Sequence, residues 1–462
     1  MPDLVVNFLK GDKVDSNTDY RDALPVNMYA VERELFGVKG YMLQEPGLTL
    51  HGTGLGRDRG GFWSSRFKRH YRVSGQKFIE VAADGAATDL GDIPGGLQAT
   101  IDESFNNVAI VADGRLYMYN PDAGLRQITD PDLGAPKDIA WIDNYFFLTD
   151  GENLYHSTIA DETAFEPLDF ATSEFAPDET LGVIKTRDNR VIAFNRFTGE
   201  YFQNDATDNF SFSRLAGRAW EVGVVGTHAK CKMESIIYFV GSYKSTGFSV
   251  YAASEGLPQP IATREIEQVL GEYSVFELQN IRVEGRVEDQ YRTLIIHLPR
   301  HTLKCNVNLL TWSILKSNLQ GDEVYRAING VFDERVGKWI YGDKFNGNIG
   351  ILDESVATHY GELAECLLFT PYYYIDSASI DQIEIETIPG FTTTNDAQVF
   401  CSMTQEGVQY TQEFIMDYGN YADYQNRFIK RRIGYVRNYF SLKLRVASRS
   451  RVAFSLGRVT YG

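Results

Sequence analysis

Long apolar runs are missing from this chain of 462 residues: nowhere do about 18 apolar residues follow one another, so no membrane-crossing helix is expected. Residues 1–13 hold one short apolar stretch and then charge, without the basic start, long apolar core and small-residue cleavage site of a secretory leader. Synthesis in a cytoplasm is the expectation. Cysteine is scarce as well. Cys231, Cys305, Cys366 and Cys401 lie far apart and form no CxxC, which argues against a disulfide framework or a zinc site and for buried free thiols. The signatures of catalysis are also absent: no GxSxG elbow, no GK[ST] phosphate loop and no SxDxGxTW box of sialidase blades occurs. The 62 acidic residues contain carboxylate pairs for glycoside chemistry by number alone, and nothing in their spacing singles one out.

Three local patterns invite a metal or phosphate reading and fail on geometry. His297 and His301 are four apart, but Pro299 between them and the strand-like run before them put the pair about 13 Å apart on an extended chain. Asp15, Asn17 and Asp19 imitate the start of a calcium loop, yet the sixth place is Tyr20 rather than Gly and the twelfth is Val26 rather than Glu. GTGLG at 52–56 lacks the spacing of a dinucleotide or phosphate loop and reads as a turn into the first repeat.

What is abundant is aromatic. With 28 Phe and 27 Tyr and few apolar helix formers in series, the chain favours strands, and the prior is an all-β fold. A content of 43% hydrophobic and 23% charged residues is that of a folded chain. Its length exceeds one ordinary core and predicts two or three domains.

A weak repeat runs through the first three quarters. Leading strand-like segments near 61–67, 97–102, 136–142, 181–186, 223–229, 276–283 and 324–331 each precede a hairpin. The clearest hairpins are NNVAIVADGRLYMYN and DNYFFLTDGENLYHS, where Asp113-Gly114 and Asp150-Gly151 supply the positive φ of a tight turn between two β-forming runs. A period of roughly 36 to 53 residues with about four strands per unit is the spacing of a β-propeller. Seven blades are expected, with six possible. One helix is expected over 262–270, with Thr263 as its N-cap.

After about Asp353 the rhythm stops, and the alternation in 365–390, the hairpin in 398–414 and the strand 442–447 predict a separate antiparallel β-sandwich. The expected division is an N-terminal segment 1–45, packed on the propeller or on a neighbouring subunit, a propeller 46–353, and a C-terminal β-rich domain 354–462. Charge divides the chain further. Net charge is −17, yet residues 427–462 contain ten Lys or Arg and no acid, leaving −27 on the rest. Such asymmetry marks a partner surface. Arg427, Lys430, Arg431, Arg432, Arg437, Lys443, Arg445, Arg449 and Arg451 are the candidate interface residues. Leu442, Leu444 and Val446 alternate with Lys443 and Arg445 as in a half-buried strand, which favours a protein partner over nucleic acid.

Five segments in order, DALPVNMYA at 22–30, PIATREIE at 260–267, LIIHLPRHTL at 294–303, LLFTPYYY at 367–374 and KRRIGYVRNYFSLKLRV at 430–446, resemble one family. It is the tail nozzle, or tail hub, of short-tailed lambdoid-type bacteriophages (podoviruses), also called the packaged-DNA stabilisation protein. The resemblance implies a structural subunit of the virion tail, assembled in the host bacterial cytoplasm as a homo-hexameric ring below portal and adaptor. Such a ring extends the DNA-ejection channel, helps retain packaged DNA, receives the tail needle plug and docks tailspikes. Double-stranded DNA would pass through without specific binding, and no membrane insertion, catalytic residue, cofactor or metal is implied. Two other classes compete with it: a carbohydrate-binding propeller, for which TPYYY at 370–374 is the candidate aromatic cluster, and a propeller glycosidase.

Overall fold

The computed structural model describes residues 2–8, 23–32, 40–206, 210–254, 256–288, 291–319, 324–387, 392–395, 397–423 and 427–462. The calcium-loop imitation at Asp15, Asn17 and Asp19 lies outside them. Seven antiparallel sheets follow one another along the chain and close into a seven-bladed propeller. Blade 1 runs Asp58–Ser64, Arg69–Ser74, Lys77–Val81 and Ala87–Asp92; each later blade repeats this up-and-down order from the axis outwards. The inner strands of blades 2 to 4 are Thr100–Glu103, Asp138–Ile142 and Thr180–Lys185. Blade 5 splits its inner strand into Gly223–Val224 and Lys230–Met233, and blades 6 and 7 begin with Arg282–Glu288 and Ala327–Asp333.

Tight turns hold the blades together where the sequence places short polar residues. Asp113 and Gly114 take φ of 48° and 72°, and Asp143 and Asn144 take 50° and 68°, the left-handed pairs that two-residue hairpins require. The second of these turns, between Asp138–Ile142 and Tyr145–Thr149, carries no glycine. The hydrophobic clusters sit between neighbouring blades. Tyr71, Phe78 and Tyr119 join blades 1 and 2, and Phe146, Leu148 and Leu116 join blades 2 and 3. Leu48, Ile295 and Tyr341 join blades 6 and 7, and Ile79 and Ile340 close blade 7 onto blade 1. The outer strand of blade 7 is Gly47–Thr53, paired with Asn348–Asp353 from Gly47↔Asp353 to Thr53↔Asn348. A strand from before the first blade thus completes the last one, and the ring is held shut by ordinary ladder hydrogen bonds.

Two sequence expectations fail locally. The segment 276–283 is not a leading strand: Ser274 accepts from the Glu277 backbone N–H while Glu277 reaches back to the Ser274 N–H, and this capping box starts the helical turn Val275–Leu278. The longer helix is Arg264–Gly271, with Thr263 at its N-cap, but the Thr263 side chain makes no cap hydrogen bond.

The second body is a β-sandwich whose strands come from both ends of the chain. One sheet has the order Met28–Val31, Tyr41–Gln44, Ala453–Tyr461, Ala378–Thr387, Phe428–Val436, with Asp3–Asn7 also on Ala453–Tyr461. The other has the order Cys366–Phe369, Tyr439–Ala447, Gln398–Thr404, Phe414–Asp417. Between them lies a core of Phe8, Met42, Ile383, Cys401, Leu444 and Phe454. The N-terminal segment, expected to pack on the propeller or a neighbour, supplies three strands of this sandwich. Val6 and Phe8 are fully buried against it, because the pleat of strand Asp3–Asn7 turns alternate side chains inward. The chain also stitches the two bodies together. Val26 pairs with Leu367 of the sandwich and bridges to Ile314 of blade 6, while Asn27 donates to the Lys316 and Glu365 carbonyls at 2.8 and 2.7 Å.

Candidate functional site

The basic strip does not form one surface. Strand Phe428–Val436 is the edge of one sheet, whereas Tyr439–Ala447 lies inside the other, so the chain crosses between sheets at Arg437 and Asn438. The outer faces of two packed sheets point in opposite directions. On the first outer face Arg427 pairs with Glu384 at 2.7 Å, Arg431 donates to Gln382 at 3.3 Å and Arg458 pairs with Glu386 at 3.2 Å. On the second, the Lys443 amine lies 5.0 Å from the Tyr410 ring centre. Arg445 lies over Phe400 at 4.3 Å and donates through Nε to Glu413 at 3.0 Å. The Arg445 guanidinium holds the Glu413 carboxyl below its usual range. Leu442, Leu444 and Val446 are buried as the alternation requires.

Arg451 is no surface residue. It is 6% exposed and donates to the Gln44 and Glu354 carbonyls and to the Tyr29 hydroxyl, tying the N-terminal strands to the segment that leaves blade 7. Its guanidinium is the right shape to satisfy three carbonyl and hydroxyl acceptors where three chain segments meet. Arg449 is exposed, and Lys430 is half-buried with its amine 5.7 Å from the Phe414 ring centre. Arg431, Arg432 and Arg437 are each exposed, along and just beyond the edge strand. That edge carries a bulge, with Arg432 at φ 59° and Gly434 at 143° opposite the register shift between Ile380 and Gln382. Bulges and arginines are the usual protection of a free sheet edge.

Two clusters escaped the sequence reading. The first lies between the bodies: Glu45 is 4% exposed and takes Arg286 on one oxygen at 2.7 Å and Lys304 on the other. Burial alone raises a carboxyl, yet Lys304 and then Arg286 hold Glu45 down to about 2, while burial pushes Lys304 down to about 8. The Lys304 amine also sits 3.8 Å from the centre of the Tyr29 ring. Glu45 is over 200 residues from both cations in sequence, so only the alternation of Lys304 with Leu303 and Cys305 hinted at an inward charge.

The second cluster lies on the propeller axis, beside a cavity of ≈ 620 Å³ at the face where the inner strands begin. Glu284 meets His297 Nε2 at 2.6 Å and accepts the Asn329 and Gly330 backbone N–H groups at 2.7 and 2.8 Å. Arg282 bonds His228 at 3.2 Å, and the Lys344 amine donates to Thr302 at 3.2 Å. Further along the axis Lys230 pairs with Asp138 at 2.6 Å. His297 and His301 serve separate partners, since His301 bonds the Tyr273 hydroxyl at 2.6 Å. Among the described residues no group of three or more His, Cys, Asp or Glu is placed to hold a metal ion. In TPYYY, Tyr374 stands 58% exposed, edge-on to Tyr439 at 5.3 Å.

Comparison with solved structures finds only weak likenesses at low identity. Virginiamycin B lyase from Staphylococcus aureus covers 67% of this chain over 98% of its own, at TM-score 0.44 and 13% identity. The Pan2 WD40 domain of Neurospora crassa covers 67% over 96%, at 0.42 and 10%. In sequence, the tail hub protein gp10 of Salmonella phage P22 is 29% identical over 98% of both chains. Residues 4–357 match the family model described as Bacteriophage P22 Gp10, beta-propeller, and residues 365–462 match its companion, Bacteriophage P22 Gp10, beta-sandwich. Matched in both bodies and in the same order, the chain belongs to the phage P22 Gp10 family.

Proposed function

We propose that this protein is the tail hub of a short-tailed bacteriophage: six copies form a ring that extends the DNA-ejection channel below portal and adaptor. The ring helps retain packaged DNA and presents docking sites for tail needle and tailspikes. The observation that carries the proposal is the end-to-end similarity to the tail hub protein gp10 of Salmonella phage P22, across both bodies.

Two physical features support it. Near the propeller axis Lys230 of blade 5 reaches Asp138 of blade 3 at 2.6 Å, and in this reading DNA travels between subunits rather than along that axis. A body of strongly negative net charge repels phosphates, and a conduit that must release DNA quickly gains from avoiding counterion-releasing contacts. A closed ring joins unlike patches on successive copies. The open arginines at the sandwich edge, Arg431, Arg432 and Arg437, and the acidic remainder form such a pair. Native mass spectrometry of the protein with its adaptor tests this reading. Hexamers are expected for the native chain, and the triple substitution of those arginines by Glu should lower their fraction while the monomer stays folded. Unchanged hexamers in the variant overturn the interface, and monomers in the native chain with adaptor overturn the ring.

A further inference from the structure

We infer that the axial cavity of the propeller, around Arg282 and Lys344, is a binding site for a small phosphomonoester, with the phosphate on these two cations and an organic ring against Phe345 and Leu97. A volume of ≈ 620 Å³ lies in the range of small-molecule sites and is far below that of a duplex. The charges converge. Of the carboxylates around the cavity, Asp58 is engaged by Arg72 at 2.6 Å, Asp113 by Arg59 and Asp343 by Arg326 at 2.6 Å, while Lys137 is engaged by Glu179. That leaves Arg57, Arg282 and Lys344 on the cavity wall with no ion-paired carboxylate among the described residues, and the neighbouring Glu284 has its oxygens taken up by His297 and two backbone N–H groups. A local excess of cations stands inside a chain of net charge −17.

The donors are also held ready. His228, kept neutral by burial and by the nearby Arg282, bonds one end of that guanidinium and fixes its plane, while Arg282 Nε–H finds no acceptor. His297 is 5% exposed and its Nδ1 is likewise without a partner. Burial pushes the Lys344 amine down to about 7, and the charges of Glu284 and Asp343 offset it only in part. A phosphate supplies acceptors for both cations through charge-assisted hydrogen bonds. Leu97 is 59% and Phe345 53% exposed at the rim, an apolar border that phosphate alone does not explain and that a sugar or nucleoside ring covers.

Calorimetric titration and phosphorus NMR of the full-length protein in chloride buffer at physiological salt test the site, with inorganic phosphate, a hexose phosphate and a nucleoside monophosphate as probes. Saturable binding of one equivalent per chain is expected, tighter for the organic phosphates. Arg282→Gln and Lys344→Met should each weaken all three about tenfold or more, the scale of losing one charged hydrogen bond. Phe345→Ala should remove the advantage of the organic phosphates and leave inorganic phosphate unchanged, and the two organic probes separate a sugar from a nucleoside source. Tryptophan emission checks folding; if Arg282→Gln does not fold, Lys344→Met and Phe345→Ala decide the matter. Absence of saturable binding to every probe, indifference of binding to the substitutions, or displacement of the probes by duplex DNA overturns the inference.

Discussion

The propeller and the sandwich solve the same problem, burying one face of many strands, by opposite routes. Each blade is built from strands that follow one another in the chain, and a blade buries its faces chiefly against its two neighbours. The sandwich takes Asp3–Asn7, Met28–Val31 and Tyr41–Gln44 from before the propeller and the rest from after it, so it cannot form until both ends have been brought together. The one propeller exception, Gly47–Thr53, works the same way on a small scale. Local pairing carries little loop-closure entropy, whereas pairing Asp3 with Thr460 joins residues 457 apart in sequence.

Acidification should separate the two bodies most strongly. All seven histidines lie between His51 and His359, outside the sandwich strands, and all five tryptophans lie in the propeller. Burial pushes His70, His297 and His359 down to about 4, each from an ordinary value of 6.5. Between these values the unfolded chain binds protons that the folded chain refuses. Their contribution is therefore complete above pH 6.5 and is lost as pH falls toward 4, about 3 kcal/mol for each group. Urea unfolding followed by tryptophan emission should shift its midpoint steeply over that window. Thiol labelling of Cys366 and Cys401, which reports the sandwich, should not follow it, and parallel shifts would break the comparison.

Glu45→Ala tests the joint. It leaves Arg286 and Lys304 buried without their shared carboxylate, at a cost of about 3–5 kcal/mol. Because the cluster belongs to both bodies, tryptophan and thiol readouts should move together in this variant. Phe8→Ala acts on the sandwich alone. Removing a ring that is 2% exposed should cost about 3 kcal/mol, seen as faster labelling of Cys366 and Cys401 with the tryptophan transition in place. The smallest effect belongs to a blade turn: Gly114→Ala keeps φ near 72° with only Ala135 in contact range, and should lower the tryptophan-detected stability by about 1 kcal/mol. A larger loss would mean that this hairpin is more than a local unit.

The same division explains what could be read in advance. Asp113-Gly114 announces its hairpin because two residues at positive φ are a local demand that few side chains meet. Asp143 and Asn144 meet the same demand in the next blade. The alternation of the N-terminal segment shows that one face is buried and says nothing of the surface that buries it: its strands join the sandwich, while Val26 and Asn27 also reach blade 6 of the propeller. The basic strip misled for a related reason. Counting charge along the sequence joined Arg431 to Arg445, whereas the turn at Arg437 and Asn438 sends them to different sheets and Arg451 into the interior. Glu45, Arg286 and Lys304 left almost no trace, since a buried ion pair between distant residues has no spacing rule.

By itself, then, the sequence determined what is decided within a few residues: strands over helices, the hairpin turns, the seven-fold period and the alternation that buries Leu442, Leu444 and Val446. The tertiary structure decided what depends on meeting a distant partner. It set the pairing of residues 3–7 with the C-terminal strand and the closure of blade 7 by Gly47–Thr53. It also placed the buried charges of the joint and the cations of the axial cavity. The reason is that backbone conformation and amphipathic period are properties of neighbours along the chain. Burial of a charge, and the counterion that permits it, are properties of neighbours in space.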